Sequence, residues 1–88
     1  MAWTVDYTET ARKQLHKLDK QAARRILDYM DGRIQEAKDP RDAGKALKGP
    51  LGDLWRYRVG EYRIICDIQD GQLRILVVQV GNRREVYR

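Results

Sequence analysis

Residues 54–80 decide the fold, and they read LWRYRVGEYRIICDIQDGQLRILVVQV. Apolar and polar residues alternate from Trp55 to Val59, which is the period of a half-buried strand. Gly60-Glu61 and Asp70-Gly71 each suit a tight turn of two residues between antiparallel strands. The stretch therefore predicts a meander of three antiparallel strands.

Two turns of this length fix the register of the meander and, with it, the side chains that share each face. The predicted cross-strand pairs are Val59 with Tyr62, Arg58 with Arg63, Asp67 with Arg74, and Ile65 with Leu76. One face is then almost wholly apolar and carries Trp55, Tyr57, Val59, Tyr62, Ile64, Cys66, Ile68, Leu73, Ile75 and Val77. The other face carries Arg56, Arg58 and Arg63 at one end, beside Ile65, Leu76, Val78 and Val80. A bulge would alter this register.

The residues before the meander predict one strand and a hairpin of two helices. The segment from Trp3 to Tyr7 alternates as a strand does, and Thr8 suits the cap of a first helix. Asp19 suits the cap of a second helix of about five turns, which Lys38-Asp39-Pro40 ends because a residue before proline avoids the helical region. Apolar residues at helical spacing are Ala11, Leu15 and Leu18, then Ala23, Ile26, Leu27, Met30, Ile34 and Ala37.

The segment from Arg41 to Leu54 predicts a long loop, because it holds three glycines and a proline. Leu47 is the residue expected to anchor this loop to the body of the protein. The order of elements predicts one α+β domain over residues 1–88: a strand, a two-helix hairpin, and a three-stranded antiparallel meander. The helices are expected to pack on the apolar face of a single sheet.

Positive charge is concentrated in the second half of the chain. The 88 residues include 18 Lys and Arg against 13 Asp and Glu, a net charge of +5. Residues 1–40 hold eight basic and seven acidic side chains (+1), whereas residues 41–88 hold ten and six (+4). A basic domain of this kind attracts polyanions, most commonly nucleic acid; a basic surface without a ligand is the alternative.

The composition also excludes several classes of protein. No apolar run approaches the roughly 20 residues that cross a bilayer, and the first 13 residues lack the apolar segment of a secretory signal, so we expect a soluble cytoplasmic protein. Cys66 is the only cysteine and lies in an apolar run, which predicts a small buried side chain rather than a catalytic thiol. One cysteine and one histidine, His16, are too few for a zinc site, and His16 is expected on the exposed side of the first helix.

The predicted pairing of Arg58 with Arg63 is the main indication of a functional site. Like charges directly opposite each other cost about 0.2–1 kcal/mol in a sheet, so an anion is expected there. A phosphate is the sharper hypothesis, because guanidinium groups bind phosphate through two parallel hydrogen bonds and do not lose their charge. The alternative is an arginine-rich exposed face with no ligand.

The last residues, Gly81-Asn82-Arg83-Arg84-Glu85-Val86-Tyr87-Arg88, join a charged cluster to one aromatic side chain. This terminus could fold back over the arginine face, where Tyr87 would stack on a base or donate a hydrogen bond to phosphate. Aromatic platforms among arginines commonly hold single-stranded RNA. The alternative for Tyr87 is a packing residue at a frayed end.

At this point the chain resembles the RelE/ParE toxin superfamily over its whole length and element order. The resemblance is carried by Leu47-Lys48-Gly49, Trp55-Arg56-Tyr57-Arg58-Val59, Tyr62-Arg63-Ile64-Ile65 and Val80-Gly81-Asn82-Arg83-Arg84-Glu85-Val86-Tyr87. The last segment is the most specific, because it is similar to the Val-Gly-x-Arg-x-Glu-Val-Tyr ending of the RelE branch.

The resemblance implies a metal-independent mRNA endonuclease that acts on the ribosomal aminoacyl site and needs no cofactor. The ribose 2′-hydroxyl would attack the adjacent phosphate and leave a 2′,3′-cyclic phosphate and a 5′-hydroxyl. The catalytic residues implied by matching positions are Arg58, Arg63 as the transition-state arginine, Arg83 as the proton donor to the leaving oxygen, and Tyr87. Those assigned to RNA binding are Lys45, Lys48, Arg56 and Arg84.

Two positions depart from the family pattern. Arg58 stands at the position of the general base, and a guanidinium with a pKa above about 12 is unsuited to that role. Asn82 stands where many relatives have histidine, so acid-base work would fall to Tyr87 or to ribosomal groups.

The resemblance also implies a cognate antitoxin that covers the basic face or displaces the terminus. Two other functions stay open. One is a gyrase-directed toxin of the same fold, against which the terminal motif argues; the other is a non-catalytic RNA-binding module.

Overall fold

The computed structural model describes residues 3–47 and 53–82, which form two helices and a five-stranded mixed sheet. The strands lie in the order β1-β5-β4-β3-β2, with β1 parallel to β5 and the other pairs antiparallel. The strands are β1 (Thr4–Tyr7), β2 (Lys45–Ala46), β3 (Trp55–Val59), β4 (Tyr62–Gln69) and β5 (Arg74–Asn82), and the helices are α1 (Glu9–His16) and α2 (Lys20–Asp28). The predicted α+β class is confirmed; the two-residue strand β2 was not predicted.

The helix hairpin forms where the sequence predicts it. Thr8 caps α1, because its hydroxyl accepts a hydrogen bond from the Ala11 amide at 3.1 Å. Asp19 precedes α2, although its side chain makes no capping bond. The predicted second helix of five turns changes character at Tyr29, where α2 continues as the π-helical segment Tyr29–Ile34. Across residues 3–47 and 53–82, no helix is both apolar and long enough to cross a membrane.

The first hairpin of the meander has the predicted register. Gly60 has φ +59°, which suits the first position of the predicted two-residue turn. Val59 therefore pairs with Tyr62, and Arg58 with Arg63.

The prediction of a two-residue second turn is wrong. Residues Asp70–Gln72 form a 3₁₀ turn, and Leu73 adopts the left-handed conformation with φ +49°, so β5 begins at Arg74. The partner of Arg74 is Gln69 instead of Asp67, and Leu73 is exposed rather than part of the apolar face. The loop is two residues longer than predicted, and an even shift leaves the same side chains on each face.

A bulge in β5 produces a second correction. Cys66 pairs with Val77 but Ile65 pairs with Gln79, which leaves Val78 as the extra residue. Ile65 was predicted to pair with Leu76, and Val80 was predicted on the arginine face. Val80 instead lies in the main core, and its amide donates to the Gln14 Oε1 of α1 at 2.6 Å.

The loop before β3 is held on both faces of the sheet, by hydrogen bonds on the helix side and by apolar packing on the other side. Trp55 Nε1 donates to the Ala43 carbonyl at 2.7 Å, and the Tyr57 hydroxyl donates to the Pro40 carbonyl at 2.6 Å. Leu47 is buried, which confirms it as an anchor of this loop. It packs on the face of the sheet away from the helices, in a small cluster with Leu54, Ile65 and Val78. The main core lies between the helices and the other face.

Candidate functional site

Four basic side chains belong to the face of the sheet that the helices leave open. Lys45 of β2 pairs with Arg56 of β3, and Arg58 of β3 pairs with Arg63 of β4. Residues directly opposite each other in antiparallel strands share a face, with Cα atoms about 4.5–5.5 Å apart, and residues two apart on one strand share it as well. We refer to Lys45, Arg56, Arg58 and Arg63 as the basic face.

Three members of the basic face, Lys45, Arg56 and Arg58, are at least partly exposed. The ion pairs among the described residues lie away from the basic face: Lys13 with Glu9, Arg41 with Asp70, and Arg74 with Asp6. Lys45, Arg56 and Arg58 form none with a described carboxylate. No described carboxylate therefore neutralises these three charges, and the anionic ligand expected from the arginine pairing stays a prediction.

Arg63 differs from its neighbours because it is only 7% exposed. It lies on β4, the third of the five strands in the order of the sheet, and its partner on β5 is Gly81, which has no side chain. A guanidinium in this position is restricted in its rotamers, and guanidinium groups remain charged in proteins. It can hold a fixed positive charge beside a ligand on this face.

A recess of about 260 Å³ lies beside the basic face. Lys45, Arg56 and Arg58 line it together with Gly44 and Tyr29, the latter from the start of the π-helical segment. Sequence reasoning missed Tyr29, because an aromatic residue within a helical pattern carries no signal of its distance from a loop far along the chain.

Three buried or half-buried titratable groups are poorly suited to proton transfer near pH 7. Burial raises the pKa of the Cys66 thiol, so that the neutral thiol persists, as its apolar setting predicted. Burial also raises the pKa of the Tyr57 hydroxyl. The pKa of the Tyr7 hydroxyl is raised by burial and by the nearby carboxylate of Asp31. His16 is exposed, as predicted, and lines grooves between the helices rather than the basic face. The basic face thus supplies positive charge, and none of its four residues is an evident general base.

The remaining predicted site residues lie outside the described residues: Lys48, Arg83, Arg84 and Tyr87. Asn82 is the last described residue, at the end of β5, where it pairs with Tyr62. The structure therefore brings together Arg56, Arg58, Arg63 and Lys45 of the eight predicted residues, and the other four stay predictions.

Comparison with known proteins gives consistent matches over the whole chain. The sequence model of a protein family, the ParE toxin of the type II toxin-antitoxin system parDE, matches residues 5–87. Toxin RelG of Mycobacterium tuberculosis is 31% identical over 88 residues, which cover 100% of this chain and 99% of that protein. Toxin RelE of the same organism is 30% identical over 84 residues, 96% of this chain and 84% of the relative.

Solved structures match at the level of the fold as well. The toxin-antitoxin complex RelBE2 of M. tuberculosis contains a chain with a TM-score of 0.86 and 28% identity, and the match covers 97% of this chain and 95% of that one. The RelE-RelB complex of Pyrococcus horikoshii gives a TM-score of 0.75 at 28% identity, covering 98% and 100%. The isolated RelE toxin of E. coli gives 0.71 at 22% identity over 98% and 92%, which supports the fold alone. The chain therefore belongs to the RelE/ParE superfamily of toxins of type II toxin-antitoxin systems, and to its RelE branch.

Proposed function

We propose that this toxin is a ribosome-dependent endonuclease that cleaves mRNA in the aminoacyl site. The observation that carries the proposal is the pairing of Arg58 with Arg63 on an open face that also holds Arg56 and Lys45. Two guanidinium groups held opposite each other in a sheet repel, and a phosphodiester between them converts that repulsion into attraction.

The proposed reaction is an internal transesterification. The ribose 2′-oxygen forms a bond to phosphorus and gives up its proton, while the bond from phosphorus to the 5′-oxygen breaks and that oxygen takes a proton. The products are a 2′,3′-cyclic phosphate and a 5′-hydroxyl. This chemistry needs proton transfer and stabilisation of the charge that develops on the phosphate oxygens, and fixed guanidinium groups serve the second need.

We assign the electrostatic part of catalysis to Arg58 and Arg63. Arg63 is the better placed to hold a fixed charge, because it is nearly buried and restricted in movement. Arg56 and Lys45, on the same face, would bind the flanking phosphates. The family resemblance extends the RNA-binding set to Lys48 and Arg84, and proposes Arg83 as the proton donor to the 5′-oxygen.

The general base is proposed to lie outside the basic face. Lysine and arginine are protonated at neutral pH, and an arginine in place of the usual base cannot readily accept a proton. Tyr87 and groups of the ribosome are the candidates for this role. No metal or cofactor takes part in the proposed reaction.

We further propose a cognate antitoxin as the partner that keeps the toxin inactive in the cytoplasm. Of the matched structures, one is the toxin-antitoxin complex RelBE2 and another is a RelE-RelB complex. An acidic or amphipathic segment of the antitoxin would neutralise the charges of Lys45, Arg56 and Arg58 and exclude RNA from the basic face.

Primer extension on a reporter mRNA in a purified translation system tests the proposal. Wild-type protein should cut only when ribosomes are present, at positions phased to codons. Arg63→Gln and Arg58→Gln should lose most of this cleavage. Arg12→Gln is the charge-matched control, because Arg12 is exposed on α1, on the helix side of the molecule, and it should cut as the wild type does.

Two other outcomes would replace the proposal. Intact mRNA together with inhibition of gyrase supercoiling would support a ParE-like toxin, in line with the description of the matching family model. Intact mRNA with salt-dependent RNA binding would support a non-catalytic RNA-binding member of the fold. The lack of a general base among the four residues of the basic face favours this alternative.

A further inference from the structure

The outer edge of β3 is only partly covered by the described residues. The two residues of β2 pair with Trp55 and Arg56, whereas Tyr57 to Val59 continue beyond them. The recess lined by Tyr29, Gly44, Lys45, Arg56 and Arg58 lies at this edge. Its volume of about 260 Å³ is slightly below the roughly 300 Å³ at which pockets for drug-sized ligands begin, so it suits a group no larger than one nucleotide.

Tyr29 is held against a fixed neighbour. Its ring meets that of Tyr57 edge to face, with 6.1 Å between centroids and an interplanar angle of 61°. Tyr57 is fully buried, and its hydroxyl is bonded to the Pro40 carbonyl at 2.6 Å. The guanidinium carbon of Arg33 lies 5.6 Å from the centroid of the Tyr29 ring, within the range of a cation-π contact. Tyr29 is only partly buried, and it lines the recess from this braced position.

The recess therefore combines one braced aromatic ring with three cations that have no described carboxylate partner. Aromatic rings next to arginine and lysine are the usual means of binding unpaired bases, because every base has a face that can stack and every nucleotide has a phosphate. A ligand that offered only negative charge would leave the ring unused, and a purely apolar ligand would leave the three cations without partners.

We infer that this recess binds one unpaired base of the RNA, stacked on Tyr29, with the adjoining phosphates held by Lys45, Arg56 and Arg58. The inference rests on the proposed function for the identity of the ligand as RNA. It adds a base-binding position supplied by the helix layer to the phosphate-binding positions supplied by the sheet.

Equilibrium binding of two labelled probes tests the inference without the ribosome. The probes are hexauridylate and an abasic ribose-phosphate chain of the same length, measured by fluorescence anisotropy. Tyr29→Leu should weaken the binding of hexauridylate by about 5- to 140-fold, the value of one stacked base, and leave the abasic chain within about twofold of wild type. Tyr29→Phe and Tyr29→Trp keep a stacking ring and should bind hexauridylate as the wild type does.

Two controls separate stacking from charge and from folding. Arg58→Gln should weaken both probes alike and reduce the slope of log affinity against log salt by about one, because it removes one phosphate contact. Tyr7→Leu removes a different half-buried tyrosine, on the strand at the opposite edge of the sheet, and should leave both affinities unchanged.

The inference is overturned if Tyr29→Leu binds hexauridylate like wild type, if it loses both probes equally, or if wild type binds neither probe. These outcomes are distinct from failure of the proposed function. Codon-phased cleavage by a wild-type protein whose affinity does not depend on Tyr29 would keep the endonuclease and remove the base-binding position. Tyr29-dependent binding of hexauridylate with mRNA left intact on the ribosome would keep the base-binding position and remove the endonuclease.

Discussion

Arg58 and Arg63 are direct cross-strand partners, yet one is exposed and the other is almost buried. The exposed arginine can change its contacts at little cost to the fold, whereas the buried one is held by the sheet around it. The pair thus joins a fixed charge to an adjustable one, and like charges directly opposite each other in a sheet repel.

Replacement of Arg58 by threonine should therefore stabilise the fold while weakening RNA binding. Removing the like charge opposite Arg63 should raise the free energy of unfolding by about 0.2–1 kcal/mol, measured by urea denaturation at low salt. The gain should shrink in 0.5 M NaCl, because salt screens the repulsion at the exposed partner. An equal gain at both salt concentrations would mean that strand propensity, and not charge, is responsible.

Gly44→Ala should destabilise the loop that carries Lys45. Gly44 has φ +78°, and an added Cβ would collide with the backbone oxygen of Arg56 and lie 2.7 Å from Trp55 Nε1. We expect a loss of about 1–3 kcal/mol or more in the free energy of unfolding. Gly32→Ala is the matched control, because nothing lies within 4 Å of its added Cβ, and it should be neutral or slightly stabilising. Equal stability of the two variants would contradict the close approach of this loop to β3.

Gln14→Leu should cost about 1–3 kcal/mol of stability, because the Val80 amide loses its acceptor at a buried position of β5. Gln14→Glu keeps an oxygen within reach and should cost less. Amide hydrogen exchange at Val80 gives a second measurement: protection should fall in the leucine variant and persist in the glutamate variant. Unchanged protection in Gln14→Leu would show that another group accepts this hydrogen bond.

The ion pair of Arg41 with Asp70 should contribute to stability only above acidic pH. Two hydrogen bonds of 2.8 Å from the Arg41 guanidinium lower the pKa of the Asp70 carboxyl below its ordinary value. A carboxyl whose pKa is lower in the folded state stabilises the fold above its unfolded pKa, near 4, and this contribution is lost as the pH falls through the folded pKa. Urea midpoints measured from pH 7 down to pH 2 should fall less steeply in Arg41→Gln than in wild type. Parallel pH profiles would exclude a role for this pair in acid stability, and Arg12→Gln serves as the charge-matched control.

The sequence predicted the parts of the fold that depend on local signals. Gly60 followed by Glu61 suits a turn whose first residue has positive φ, and that turn sets Arg58 opposite Arg63. Thr8 marked the start of α1 by the same kind of local chemistry. The central pair of the candidate site could therefore be deduced from a glycine two residues away.

The features that sequence reasoning missed depend on tertiary contacts. Leu73 adopts a left-handed conformation that its residue type disfavours, so Asp70-Gly71 looked like the whole turn. Strand β2 is two residues long, and its position depends on hydrogen bonds from Trp55 and Tyr57 to the preceding loop. Tyr29 joins the recess only because that loop passes beside the end of α2.

The bulge at Val78 decides what lies beside Arg63. In an unbulged β5 with the same pairing of Val77 and Cys66, Gln79 would point into the main core and Val80 would stand next to Arg63. The extra residue reverses the parity of the strand, so that Val80 fills the core and the side-chain-free Gly81 is the neighbour of Arg63. Forcing Val78 into the regular ladder would leave the charge of the protein unchanged and yet exchange the inner and outer sides of the last part of β5, whereas deleting Val78 would keep both sides as they are. The way in which one uncharged residue is accommodated in β5 thus decides which residue lies opposite an arginine of β4.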